Sequence, residues 1–205
     1  MPRILEKKER SLGTKLSIRG DRASSPKSAL TRKPYKPGQH GKKFSKLSEF
    51  GTQLQEKQKI KFTYGVKEKQ LKSIFESAAN QTHASAIDVI TASLESRLDN
   101  VVVRLGFAPS RSIARQLVSH GHILVNGEKI TTASYRVKPG KTITINDSSK
   151  TMQVFEDIKN RLKNYDAPSW LSLNKDTLQG KMESEPRNVN FPFNINLVVD
   201  YYSKK

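Results

Sequence analysis

Arg111 and Arg115 stand four residues apart, so on a helix they share one face, and Ser112, Gln116 and Ser119 surround them with hydroxyl and amide groups. His120 and His122 follow directly. The chemistry open to this set is recognition of an anion that carries several oxygens, because an arginine presents planar paired donors that match phosphate. Each histidine can donate to phosphate or simply occupy a turn surface, and the sequence leaves both readings open. A second group of the same character lies at Lys36, His40, Lys42 and Lys43. There Pro37-Gly38 and Gly41 force turns that expose backbone N–H groups beside the lysines, which suits a phosphate nest as well as an ordinary surface turn.

The elements that must hold the first group can be read from their stop signals. Ser110 can cap a helix in which Ile113, Ala114, Leu117 and Val118 recur at core spacing, and Gly121 supplies a left-handed terminator. One stripe is thereby buried and the cationic stripe exposed. Asn126-Gly127 sits between Ile123–Val125 and Lys129–Thr131, and both residues tolerate the positive φ of a type I′ turn. A hairpin is therefore expected beside the helix. Tyr135-Arg136-Val137, the Pro139-Gly140 turn and alternating Thr142–Ile145 predict further antiparallel strands, and Arg136 adds charge to them.

Composition narrows the partner. The 205 residues hold 37 Lys and Arg against 19 Asp and Glu, a net charge of +18, with only 35% hydrophobic residues. Such an excess strains a compact state by self-repulsion but favours polyanions, since each neutralised phosphate releases condensed counterions. Cysteine is absent, which excludes disulfides and thiolate metal sites, and the four histidines lack zinc-ligand spacing. No metal and no cofactor is expected. No apolar run reaches the roughly 18 residues of a membrane helix, and the first residues carry no signal-type apolar core, so a cytoplasmic location without membrane contact is expected.

Residues 1–50 are the most basic stretch, with fourteen Lys or Arg and four acids. A segment so poor in large apolar side chains cannot offset its own ordering entropy, so a loop-rich arm is expected that orders against a polyanion. Arg10, Lys15, Arg19, Arg22 and Lys46 are its further candidate contacts. From residue 46 to 80 the apolar spacing turns helical around a break at Tyr64-Gly65, predicting a helix pair that carries Lys57, Lys59, Lys61 and Lys69. A solvated face explains such lysines equally well. Tyr64 can stack on a base or fill the core. Ala86–Leu105 is a long apolar stripe with a break near Ser96, where Asp99 and Asn100 can cap a second helix; Asp99 can equally partner an arginine. Val154–Leu162 is a short amphipathic helix, Trp170 is expected in the core rather than stacked on a base, residues 174–194 read as polar loop, and Ile195–Tyr202 is apolar and β-branched.

The order RLDNVV, SRSIARQLVSHGHILVNG, a basic strand and Pro139-Gly140 resembles the RNA-binding module named after the S-four family of small-subunit ribosomal proteins. KPGQHGKK (36–43), LSEFGTQLQEKQKIKFTYGV (47–66), PSWL (168–171) and LVVDYYS (197–203) resemble other segments of that family, in its order, so the likeness covers most of the chain. Some members hold a cysteine-ligated zinc near the N-terminus; this chain resembles the cysteine-free bacterial or organellar version. The resemblance implies an α+β fold: a mainly helical N-terminal domain with a basic arm over 1–93, against which 190–205 pack back, and an RNA-binding domain of helices on an antiparallel sheet over 94–189. It further implies direct binding of small-subunit ribosomal RNA, early action in subunit assembly, and a place beside protein five and the opening through which messenger RNA enters. Messenger RNA is a further candidate partner there, and no homo-oligomer is expected.

Catalysis supplies one serious competitor to that reading. Arg97-Leu98-Asp99 resembles a tripeptide of pseudouridine synthases, some of which carry the same module. In those enzymes the aspartate lies in a separate domain after the module, whereas here the tripeptide lies inside it and 60 residues follow Ile145. No nucleophile triad, phosphate loop or dinucleotide glycine pattern is visible. The expected protein is a non-enzymatic ribosomal component that reads the shape of folded RNA, since A-form RNA hides its major groove from side chains. A free-standing RNA-binding regulator and an RNA-modifying enzyme are the alternatives.

Overall fold

The structure, a computed structural model, describes residues 6–43, 46–81, 85–163, 165–187 and 189–203, and only the backbone of residues 21, 24, 153, 154, 156, 157 and 159. Residues 1–5 of the basic arm and 204–205 of the tail lie outside them. The chain divides into two compact units, Met1–Ile90 with Val189–Lys205, and Thr91–Asn188.

The first unit opens with short helices α1 (Lys7–Leu12), α2 (Asp21–Ser24) and α3 (Ala29–Arg32). Glu9 is buried among them, and its Oε1 accepts from the backbone N–H of Leu16 at 2.8 Å, tying the arm to itself. The pair α4 (Glu49–Tyr64) and α5 (Glu68–Ala79) follows. Ser48 caps α4 by accepting from Gly51 N–H at 3.1 Å, and Gly65 ends it at φ 60°, a left-handed conformation that only glycine adopts cheaply. Leu71, Phe75 and Ala78 make the buried stripe of α5.

Helix α6 (Ala86–Glu95) begins in the first unit and ends in the second, where α7 (Leu98–Arg104) and α8 (Arg111–Ser119) pack on each other. The break near Ser96 is present, but Arg97 occupies the N-cap of α7 and no side chain caps it; Asp99 and Asn100 sit in the first turn with other partners. Ser110 does cap α8, accepting from Ile113 N–H at 3.5 Å. Beyond α8 the N–H groups of Gly121 and His122 return to the carbonyls of Val118 and Leu117, a Schellman closure with Gly121 at φ 76°. Ile113 departs from the expected core stripe: it is exposed, and Ala114, Leu117 and Val118 alone face inward.

Strands β1 (Ile123–Val125), β2 (Glu128–Lys129), β3 (Thr142–Ile145), β4 (Leu171–Asn174) and β5 (Gln179–Met182) form one antiparallel sheet in the order β2-β1-β3-β5-β4. Asn126 and Gly127 turn the first hairpin at φ 51° and 83°. Two expectations need correction. Residues 135–137 contribute an isolated bridge from Arg136 to Arg97 rather than a strand. Residues 174–194, read as loop, contain β5 and the end of β4: Gly180 and the polar residues around it hide the alternation that Met182 and Leu171 complete. Helix α9 (Gln153–Leu162) covers the same core through Phe155, Ile158 and Leu162. Trp170 is buried there.

Helix α10 (Ile195–Ser203) returns to the first unit and packs on α4 and α5. Its sequence is rich in β-branched residues, yet Ile195, Val198 and Tyr201 fall at a spacing of three and are buried together, so tertiary packing overrides weak helix propensity.

Candidate nucleic-acid interface

Arg111 and Arg115 lie one turn apart on α8, partly buried, and neither waves freely. Arg111 Nε donates to Asn100 Oδ1 at 2.8 Å. Arg115 donates from Nε and a terminal nitrogen to Asp99 Oδ2 at 3.1 and 2.5 Å. Ser112, Gln116, Ser119 and His120 are exposed along the same helix and its end, with Ser119 Oγ donating to the carbonyl of Arg115 at 2.5 Å. His122 is half-buried; its Nδ1 lies 2.9 Å from Ser149 Oγ, and its ring is parallel to that of His120 at 6.0 Å. Arg136 is exposed and donates to Ser93 Oγ at 2.5 Å. The surface so formed is cationic and donor-rich, with its arginines fixed in direction, an arrangement suited to bidentate contact with phosphate.

In the first unit the turn 36–43 holds Lys36, His40, Lys42 and Lys43 at the surface. Gly41 is required sterically, since a Cβ there would lie 1.8 Å from the carbonyl oxygen of Lys36. Arg10 bonds the carbonyls of Lys33 and Tyr35 at 3.1 and 3.2 Å and lies over the Tyr35 ring at 5.1 Å, while Lys42 approaches that ring at 5.5 Å. Tyr35 thus organises two of the expected cations, a role that sequence reading missed; an aromatic within a run of basic residues was the available signal. Arg19 and Arg22 both meet Glu6 at 3.3 Å. Lys15, Lys46 and Lys69 are exposed.

Two of the remaining candidates on α4, Tyr64 and Lys57, are corrected by burial. Tyr64 is 1% exposed and meets the Phe193 ring edge-on at 6.4 Å, so no face is left on which a base could stack. Lys57 is 5% exposed, 2.9 Å from Glu68 Oε1, with its ammonium donating to Tyr201 Oη at 3.2 Å and lying over that ring. It locks α10 in place rather than meeting a ligand. Burial opposes the charge of Lys57, but the bonds to Glu68 and Tyr201 outweigh it and raise its pKa. Burial likewise opposes ionisation of Glu68, yet hydrogen bonds from Lys57, Lys61 and Tyr202 bring its carboxyl down to about 2. Lys61 pairs with Glu68 at 2.9 Å and Lys59 with Glu56 at 2.6 Å, both half-buried.

Sequence reading also missed two arginines and an acid behind the α8 face. Glu95, fully buried, takes two bonds from Arg104 at 2.8 and 2.9 Å and one from Asn100 Nδ2 at 2.8 Å. Arg97 bonds both oxygens of Asp99 at 3.1 and 2.9 Å. An acid inside the apolar stripe 90–102 was the legible sign, because a carboxylate in that setting needs a cation.

The helix, turn and hairpin of the second unit define an S4-domain protein: residues 96–143 match the S4 domain, and residues 5–95 match the ribosomal protein S4/S9 N-terminal domain. Small ribosomal subunit protein uS4 of Thermoanaerobacter pseudethanolicus is 45% identical over 195 residues, covering 94% of this chain and 93% of the relative. Those of Kosmotoga olearia and Thermus thermophilus are 43% and 42% identical with the same coverage. The chain belongs to the uS4 family of small ribosomal subunit proteins, a non-enzymatic family. Among the described residues no group of acids and histidines can hold a metal, and no helix is long and apolar enough to cross a membrane.

Proposed function

We propose that this protein binds small-subunit ribosomal RNA directly and joins the subunit early, so that its grip on folded RNA nucleates assembly. The observation that carries the reading is the α8 face, where Arg111 and Arg115 are held by Asn100 and Asp99 beside exposed Ser112, Gln116 and Ser119. Fixed guanidiniums suit a folded RNA, whose phosphates are presented at set spacings by A-form helices and their junctions. The basic turn 36–43 supplies a second, lysine-based contact of the kind that neutralises phosphate without reading bases.

The chain then acts in the cytoplasmic ribosome as a structural component, beside protein five and close to the opening for messenger RNA, with messenger RNA as a further partner there and without forming a homo-oligomer. These finer placements rest on its family membership. Gradient sedimentation tests the reading: a tagged copy is expected to travel with small subunits. Recovery of the tag at the top of the gradient, while complete subunits migrate without it, contradicts it.

A further inference from the structure

We infer that the buried carboxylates of Asp99 and Glu95 are positioning residues that aim the arginines of the α8 face, and so set selectivity for folded RNA over other polyanions. This rests on the RNA-binding reading above and deepens it.

Asp99 is 1% exposed and Glu95 fully buried, both inside a basic protein that gains nothing electrostatically toward RNA from them. A buried ion pair is also a poor stabiliser, because desolvation offsets most of the attraction. Geometry supplies a reason for their presence. Asp99 Oδ2 receives Arg97 and both donors of Arg115, so one oxygen fixes a guanidinium of α7's cap and one of α8. Glu95 holds Asn100 Nδ2, which orients that amide so that its Oδ1 faces Arg111 Nε. The adjacent pair Asp99-Asn100 in the first turn of α7 therefore clamps residues 111 and 115 at successive turns of α8. A quarter of the Arg115 side chain stays exposed, so the clamp leaves part of it at the surface. Holding a guanidinium in one plane removes rotamer freedom before binding and favours ligands whose phosphates match that plane.

The sign of the Asp99→Asn effect separates positioning from simple charge. The substitution raises the net charge by one, so a purely Coulombic surface would bind every RNA more tightly, with a steeper salt dependence. Positioning demands the reverse for the folded target: about tenfold weaker binding to naked small-subunit RNA, with binding to an unrelated duplex RNA unchanged or tighter. Arg115→Lys keeps the charge but cannot hold two bonds in a plane. It is expected to weaken target binding about fivefold with an unaltered salt slope, and it serves should Asp99→Asn lose the native circular dichroism spectrum. The full chain is titrated in each case. Wild-type selectivity in a folded Asp99→Asn, or in Arg115→Lys, overturns the inference. The underlying reading of the α8 face as an RNA contact fails separately, if replacing Arg111 and Arg115 together by alanine leaves RNA affinity unchanged.

Discussion

Residues of one type take opposite roles here, decided by what surrounds them. Lys57 and Lys69 are both lysines on the helix pair, but Lys57 is locked between Glu68 and Tyr201 while Lys69 is exposed. Spacing alone could not separate them, because burial by α10 comes from residues more than a hundred positions away. Arg111 and Arg115, by contrast, were legible as one helix face, since four-residue spacing is a property of the helix itself, whereas Asp99 could be read as a cap or as an arginine partner until the fold brought α8 against it. Gly41 offers a residue-scale test. A methyl group placed against the Lys36 carbonyl opens the turn that presents His40, Lys42 and Lys43. Gly41→Ala is expected to lower RNA affinity by about fivefold, roughly 1 kcal/mol. Because the turn is at the surface, thermal stability should stay within about 0.5 kcal/mol of wild type. Unchanged affinity in a filter-binding titration would remove this turn from the interface.

At the scale of elements, local signals read well and long-range ones poorly. Ser110, Gly121 and Asn126-Gly127 placed the helix and first hairpin because caps and primed turns are set by neighbouring residues. The β4–β5 hairpin escaped notice because its strands are short and Gly180 interrupts them, and α10 because its β-branched residues favour strand until a partner buries them. The structure explains Gly180: a Cβ there would lie 2.4 Å from the Leu105 side chain, so the strand runs flush against the end of α7. Gly180→Ala should cost about 1–3 kcal/mol by overpacking, seen as a lower urea midpoint at unchanged slope. A midpoint equal to wild type would show that Leu105 yields without cost.

Across the whole molecule, acids anchor what would otherwise be a self-repelling cation. Glu68 gathers Lys57, Lys61 and Tyr202, joining α4, α5 and α10 in the first unit. Its folded-state pKa lies below the ordinary 4.5, so its stabilisation is complete above pH 4.5 and fades as pH falls toward about 2. Since the side chain is 44% exposed, screening holds the gain to about 1 kcal/mol at most. Wild type should therefore melt a few degrees above Glu68→Gln at pH 6, with the gap closing on acidification. A gap that is constant with pH would mean that packing, rather than charge, secures α10.

The α8 face is tested most directly by the salt dependence of binding to naked small-subunit RNA. Replacing Arg111 and Arg115 together by alanine should weaken binding and flatten the plot of log affinity against log salt by up to about two units, each lost phosphate contact counting roughly 0.7 to 0.9. An affinity and slope equal to those of the unaltered chain would place these arginines outside the interface and contradict the account.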